Sequence, residues 1–365
     1  ALVKMNGRLR KVAFLVMALP YSDADFVMAF ERECTETFWE GHVQAFEFFG
    51  GVPRRISYDN TKVAVAQILG GGKGRRLTRG FCQLQSHYLF AHHFCRPARG
   101  NEKGVVEGLV KFTRLNFFVP VPQVRDFTQL NAALRQQCVE DRQRRLRGQK
   151  GTKEELLKED QAAFLKLPAA PFAACRQAST TINSLSLVRF DCNDYSVPVQ
   201  WAHGGVVVKG DWQQVRLYVQ RQEVARHERI WEKEKVRFEP RHYLALLERK
   251  PGALDHARPL AGWILPESFG VLRRRLENEH EGEGTREYIR VLRLLEKHSL
   301  PELRTAVEKA LAVGAITRDA IAQFLFPRED WRCLVFSLDG HPHLRAVHVA
   351  PPDVRSYGAL LGGGR

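Results

Sequence analysis

No stretch of this 365-residue chain approaches the roughly 20 consecutive apolar residues that a membrane-spanning helix needs. A helical anchor is therefore not expected. Its seven cysteines, Cys34, Cys82, Cys95, Cys138, Cys175, Cys192 and Cys333, are odd in number, far apart and without a Cys-x-x-Cys pair. That pattern argues against a disulfide framework and a structural zinc, and fits a reducing cytoplasm. Acidic residues are scarce relative to basic ones, 41 against 56, giving a formal net charge of +15. The excess favours a polyanionic partner held largely through counterion release, nucleic acid above all. Glycine is concentrated in Gly70-Gly71-Gly72-Lys73-Gly74-Arg75-Arg76, which lacks the Gly-Lys-Ser/Thr ending of a nucleotide-binding loop and reads instead as a flexible basic loop.

The amino-terminal run Lys4 to Pro20 has the order of a secretory signal, basic residues and then Val12 to Leu19. Asn6-Gly7, the strongest short hairpin signal, and the second apolar run Phe26 to Phe30 favour antiparallel strands, so residues 1 to 31 read as a three-stranded meander. Thr35 to Phe49 reads as an amphipathic helix with Phe38, His42, Ala45, Phe46 and Phe49 inward, capped by Thr35 and ended by Gly50-Gly51. A strand Arg54 to Tyr58 follows, leading into Asp59, then a helix near Thr78 to Tyr88, a strand near His92 to Cys95 and a helix opened by Asn101-Glu102-Lys103-Gly104-Val105-Val106-Glu107. His92-His93-x-Cys95 resembles a metal-ligand cluster, but three candidates on one short extended run read more simply as strand residues.

Asp59 at a strand end and Glu107 on a helix have the character of metal ligands. A hard divalent cation takes oxygen donors, and a pair of such ions roughly 4 Å apart stabilises both oxygens of an in-line phosphoryl displacement. Helical periodicity puts Lys103, Glu107, Lys111 and Arg114 on one face and Val105, Leu109 and Phe112 roughly opposite. Glu102 is explained by compensation of the helix dipole, which leaves Glu107 as the better ligand. The bland alternative is that Glu107 only pairs with Lys103 and Lys111 on a solvated face.

The run Phe46 to Asn60, which includes Gly50-Gly51-Val52-Pro53-Arg54-Arg55-Ile56-Ser57-Tyr58-Asp59-Asn60, together with Gly104-Val105-Val106-Glu107, resembles insertion-sequence transposases of the IstA type, relatives of the retroviral integrases. The resemblance implies an α/β RNase H-like core with an Asp, Asp, Glu triad, magnesium or manganese as cofactor, and metal-dependent DNA cleavage and strand transfer. It also implies DNA, a partner AAA+ ATPase of the IstB type and further copies of the chain as partners, with no membrane, in a bacterial cytoplasm near the nucleoid. Asp59 and Glu107 would be its second and third acids. The family's first aspartate has no counterpart here, because residues 1 to 5 match only the tail of its strand and Asp23 and Asp25 sit in the next turn. The expectation is an amino-terminally truncated, catalytically impaired fragment. The alternative is a noncatalytic DNA-binding and assembly remnant, separable by translating the DNA upstream of Ala1.

The expected organisation is a catalytic core at 1–122, a helical basic linker at 123–178, a small all-β barrel at 179–240, a helical region at 241–330 and a disordered tail at 331–365. Arg54, Arg55, Lys62, Lys73, Arg75, Arg76, Arg79, Lys103, Lys111, Arg114, Arg144, Arg145 and Arg147 are the candidate DNA contacts, with Lys62, Lys103, Lys111 and Arg114 flanking the acids. Period-two alternation carries the barrel assignment, through Leu185/Leu187, Val206 to Val208 and Val215/Leu217/Val219. Trp201, Trp212 and Tyr218 are read as packed aromatics rather than exposed stacking platforms. Apolar stripes at Leu244/Leu247, Ile289/Leu292/Leu295 and Leu300/Leu303 suggest helices that mediate protein contacts.

Overall fold

The computed structural model describes residues 1–58, 65–68, 75–94, 100–280 and 282–325, with positions 343 and 347. Two compact units divide at Trp263 and Ile264.

The first unit opens with two hairpins. Strands β1 (Leu2–Met5) and β2 (Arg8–Lys11) are joined at Asn6-Gly7, both at positive φ, as a two-residue turn of this composition requires. Strands β3 (Ala13–Ala18) and β4 (Asp25–Phe30) form a second antiparallel pair. The expected three-stranded meander is thus four strands in two hairpins: Ala1 and Val12 exchange backbone hydrogen bonds at the open end of the first, and β3 pairs with β4 rather than with the first hairpin. Helix α1 (Thr35–Phe49) follows, capped by Cys34 and Thr37 rather than by Thr35, and closed by Gly50 at φ 77°. Its Gly41 lies so close to β3 that a Cβ there would come within 2.7 Å of Leu15.

Next come β5 (Arg55–Tyr58), a hairpin of β6 (Val65–Ile68) and β7 (Arg75–Leu77) that the sequence did not suggest, α2 (Arg79–Tyr88), β8 (Ala91–Phe94) and α3 (Gly100–Phe117). β5 and β8 run parallel, with Tyr58 beside Phe94. The short β9 (Gln123–Val124) returns to pair parallel with β1. Helix α4 (Phe127–Asp141) packs against β4, and α5 (Lys153–Ala163) follows. From α4, the Asn131 side chain accepts from the Ala29 N–H at 2.7 Å and donates to the Ala29 carbonyl at 3.0 Å, satisfying backbone groups on the outer edge of β4.

Lys153, 2% exposed, is held by Asp141 at 2.5 Å and Asp23 at 2.7 Å. Beside them Asp25 is buried with neither carboxylate oxygen hydrogen-bonded. Burial, and then the charge of Asp141, raises its pKa to about 6.

The expected small barrel is instead two open sheets around one core. Strands β10 (Arg176–Thr181), β13 (Gly205–Gly210), β14 (Gln214–Val219) and β15 (Gln222–Glu228) make one, and β11 (Leu187–Phe190), β12 (Asn193–Ser196) and β16 (Val236–Arg237) the other. No ladder joins them among the described residues. Alternation reveals which face is buried, not which edges pair, so a barrel and a two-sheet stack read alike. Both sheets contribute to the core, which includes Val188, Tyr195, Val208 and Leu217. Trp201 packs against this core as expected, whereas Tyr218 is half-buried on the alternate face of β14, where its hydroxyl donates to Glu223 at 2.8 Å and Lys209 lies over its ring.

This β module is fastened to the rest of the first unit. Trp212 packs edge-on against Phe30 at 5.2 Å between centroids. Arg229, its side chain 2% exposed, lies 3.1 Å from Glu36 in the first turn of α1 and 2.9 Å from Asp191. Arg176 reaches the same two acids at 3.4 and 3.0 Å. Burial opposes the charge on Asp191, but hydrogen bonds from Arg229 and Arg176 outweigh it and hold its pKa below the usual value. Helix α6 (Leu244–Arg249) completes the unit, with Leu244 and Leu247 buried.

The second unit is helical: α7 (Glu267–Glu279), α8 (Gly284–Leu292), α9 (Leu300–Ala312) and α10 (Arg318–Gln323). Ile289, Leu292, Leu295 and Leu303 are buried and Leu300 is half-buried. Positions 331–365 lie outside the described residues except 343 and 347.

Breaking the buried ion cluster from one side strands a charge. Arg229→Met or Glu36→Gln should each cost roughly 3–5 kcal/mol in denaturant unfolding, and the double variant less than the sum. Additive losses below about 1 kcal/mol would show that the cluster does not hold the module.

Candidate functional site

Asp59 lies outside the described residues, and the strand before it ends at Tyr58. Tyr58, the last residue of β5, is buried and its hydroxyl lies 3.0 Å from His42 Nε2 on α1. His42 Nδ1 is 2.7 Å from the Phe38 carbonyl, an acceptor, so Nδ1 carries the proton and Nε2 accepts from Tyr58. Burial lowers the His42 pKa to about 4, so the ring is neutral near pH 7, and burial raises that of the Tyr58 hydroxyl. Rings of Phe38, Phe81, Phe90 and Phe94 surround Tyr58. Alternation along β5 sends Ile56 and Tyr58 inward and leaves Arg55 and Ser57 exposed.

On β8, His92 is half-buried with its Nδ1 unpartnered, and its pKa is lowered by burial, whereas His93 is exposed. Cys95 lies outside the described residues. Among the described residues no cluster of three His, Cys, Asp or Glu side chains could hold a metal.

Glu107 and Lys103 lie on α3, in a stretch whose side chains are outside the description. Further along the helix, Lys111 and Arg114 are exposed, Phe112 is half-buried, and Thr113 and Phe117 are buried, in the two-faced pattern the sequence suggests. Arg114 lies over the ring of Phe14 on β3, 5.8 Å from its centroid. Phe112 carries Arg144 and Lys153 over its ring, each at 5.9 Å, which brings the α4–α5 turn beside α3.

Of the other candidate DNA contacts, Arg54, Arg55, Arg79, Arg144, Arg145 and Arg147 are exposed. Arg54 donates to the Ala163 carbonyl at 2.9 Å, and Arg145 to the Gln149 carbonyl at 3.0 Å. Arg144 pairs with Asp141 at 2.6 Å. Lys62 and Lys73 fall outside the described residues, and Arg75 and Arg76 are placed only by backbone, on β7. Sequence reasoning missed three arrangements: the His42–Tyr58 bond, the Lys153 cage and the Arg229 cluster. A polar residue at an otherwise inward helix position was a signal for the first. Nothing local announces the others, whose partners are distant in sequence.

His42 binds fewer protons folded than unfolded, so the stability it contributes is present above about pH 6.5 and is lost as pH falls through about 4. His42→Leu should flatten the loss of urea stability between those values. Tyr58→Phe, leaving Nε2 unsatisfied, should cost about 1–3 kcal/mol at pH 7.5. An unchanged pH profile in His42→Leu would show that another group governs it.

Residues 167–239, which include all of β10–β16, match a family model described as the Mu transposase C-terminal domain. Over 350 residues the chain is 33% identical to a transposase of Aminobacter aminovorans, covering 94% of this chain and 68% of that protein. It is 30% identical over 331 residues to a Pseudomonas aeruginosa transposase for insertion sequences IS1326/IS1353, covering 88% of this chain and 64% of that protein. It is also 30% identical over 264 residues to the transposase of insertion sequence element IS21 from the same organism, covering 72% and 66%. The chain therefore spans about two thirds of the length of these relatives. A chain in a simian T-cell lymphotropic virus intasome, solved in complex with PP2A regulatory subunit B56 gamma, aligns over 64% of this chain and 74% of its own length at 15% identity, but its TM-score of 0.33 is too low to carry an argument. Similarity at this level over nearly the whole chain, together with the separately matched β module, leads to one conclusion: the chain belongs to the insertion-sequence transposases of the IS21/IS1326 type.

Proposed function

We propose that the chain forms part of a DNA transposase whose integrase-type catalytic core, RNase H-like in fold, lies within residues 1–122 and cleaves and rejoins phosphodiesters with Mg²⁺ or Mn²⁺. The observation that carries this reading is the family membership, joined to the rigid platform under Tyr58 immediately before Asp59. Asp59 and Glu107 are the proposed ligands. The donor chemistry fits, since carboxylate oxygens suit a hard divalent cation. When bound, the metal lowers the pKa of an attacking water or hydroxyl and neutralises charge on the scissile phosphate.

The chain's own contribution is positioning. The neutral His42–Tyr58 pair keeps the end of β5 in place without introducing a charge of its own. Lys111 and Arg114 on the exposed face of α3, Arg144 over Phe112 of the same helix, and the exposed Arg145 and Arg147 offer cations to the DNA backbone. Lys62, Lys73, Arg75, Arg76 and Lys103 join the same proposal from their place in the sequence, and Arg54, Arg55 and Arg79 from exposed positions. The helical second unit is proposed to serve protein contacts, with further copies or with an IstB-type ATPase.

Asp59→Asn and Glu107→Gln, made in a chain extended to include the first aspartate, should each abolish Mg²⁺-dependent cleavage of a transposon-end duplex. DNA affinity measured by fluorescence anisotropy should stay within about threefold. Cleavage at the wild-type rate in either variant would remove that residue from the catalytic site.

A further inference from the structure

The β1–β2 hairpin is unusually one-signed. Residues 1–22 contain Lys4, Arg8, Arg10 and Lys11 and no acidic residue. All four cations are exposed, and every residue of β2 is exposed. Arg10 has a carboxylate nearby, Glu31 at 3.7 Å, and no ion pair reaches Lys4, Arg8 or Lys11 among the described residues. Register pairs Leu2 with Lys11 and Lys4 with Leu9, so one face of the ribbon alternates two lysines with two leucines that are 48% and 62% exposed.

Charges on an edge strand ordinarily guard against pairing with another chain. That explanation covers Arg8, Arg10 and Lys11. It does not cover Lys4, which lies on β1 between β2 and β9, nor two solvent-facing leucines, which oppose such protection. A second copy docking by the same edge would set cation against cation.

The base of the ribbon adjoins the basic stripe of α3. Arg114 lies over Phe14, three residues after Lys11, which is about 10 Å along an extended strand. Val3 and Met5 bury the opposite face and β9 pairs with Lys4 and Met5, so the hairpin is the edge of a three-stranded sheet, and its Leu2, Lys4, Leu9 and Lys11 face can lie against a duplex, with lysines on phosphates and aliphatic groups on thymine methyls.

We propose that the β1–β2 hairpin is a duplex-DNA-contacting ribbon, with Lys4, Arg8, Arg10 and Lys11 extending the phosphate track of Lys111 and Arg114. The inference rests on the reading of this chain as DNA-binding and adds contacts which that reading did not include.

The test compares three forms of the chain binding a random-sequence 30-base-pair duplex between 50 and 200 mM salt. They are wild type, K4Q/R8Q/R10Q/K11Q, and K158Q/K166Q/K233Q/K250Q, which removes the same charge from exposed positions elsewhere. Far-UV circular dichroism and melting verify the fold of each. With each lost phosphate contact worth about 0.9 in the slope of log K against log salt, the hairpin variant should lower the magnitude of that slope by roughly 2–4 and the control variant by less than 1. Equal slopes for wild type and hairpin variant, with wild type binding, overturn the ribbon alone. Failure of wild type to bind overturns the DNA reading and the ribbon with it. Should the hairpin variant melt early, p-benzoylphenylalanine in place of Leu9 decides the matter. Photo-crosslinking to the duplex supports the ribbon, and no crosslink at saturating DNA refutes it.

Discussion

Helix α1 is the constraint on which the first unit depends. Trp39, Val43, Phe46, Phe48 and Phe49 are all buried, a gross apolar contribution on the order of 10 kcal/mol. Gly41 admits β3 at close range, and Gly80 lets α2 sit on Trp39, where a Cβ would come within 2.2 Å of the indole. From this one helix Glu36 holds the β module through Arg229, and His42 holds the end of β5 through Tyr58. The platform before Asp59 and the attachment of the second β layer therefore share one rigid element.

The charges inside this framework are of two kinds. Arg229 with Glu36 and Asp191, and Lys153 with Asp23 and Asp141, are paired at close distances and act as fasteners. Asp25 and His42 are buried without an opposing charge in contact, and each has its pKa moved towards its neutral form. Their effects on stability run in opposite directions through mildly acid pH. The Asp25 contribution is present below about pH 3.8 and is lost as pH rises to about 6, whereas the His42 contribution is present above about pH 6.5 and is lost as pH falls to about 4. Buried charge in this unit is accepted where it joins elements and suppressed where it does not.

Much of the core could be read from sequence because its signals are local. Asn6-Gly7 marked the first turn, Gly50 the end of α1, and Thr78 the start of α2, where its hydroxyl accepts from the Phe81 N–H. The inward set Ala45, Phe46 and Phe49 followed from helical period, with Phe38 only half-buried. What could not be read depended on partners far apart in the chain: Arg229 with Glu36, Lys153 with Asp23, and the choice of edges that leaves two open sheets where a barrel was expected. The family was legible in a few motif residues around Asp59 and Glu107, whereas the matched family model falls on the β module, which lacked such a motif. The distance between the two acids was legible in neither sequence nor described structure.

That distance is therefore the quantity to measure. Crystals of the chain soaked in Mn²⁺ and recorded at the manganese absorption edge would locate bound metal directly. The expected result is an anomalous peak within about 2.0–2.4 Å of a carboxylate oxygen from both Asp59 and Glu107, or a pair of peaks shared between them. Well-ordered Asp59 and Glu107 with carboxylates turned apart, and manganese bound elsewhere or not at all, would contradict the account.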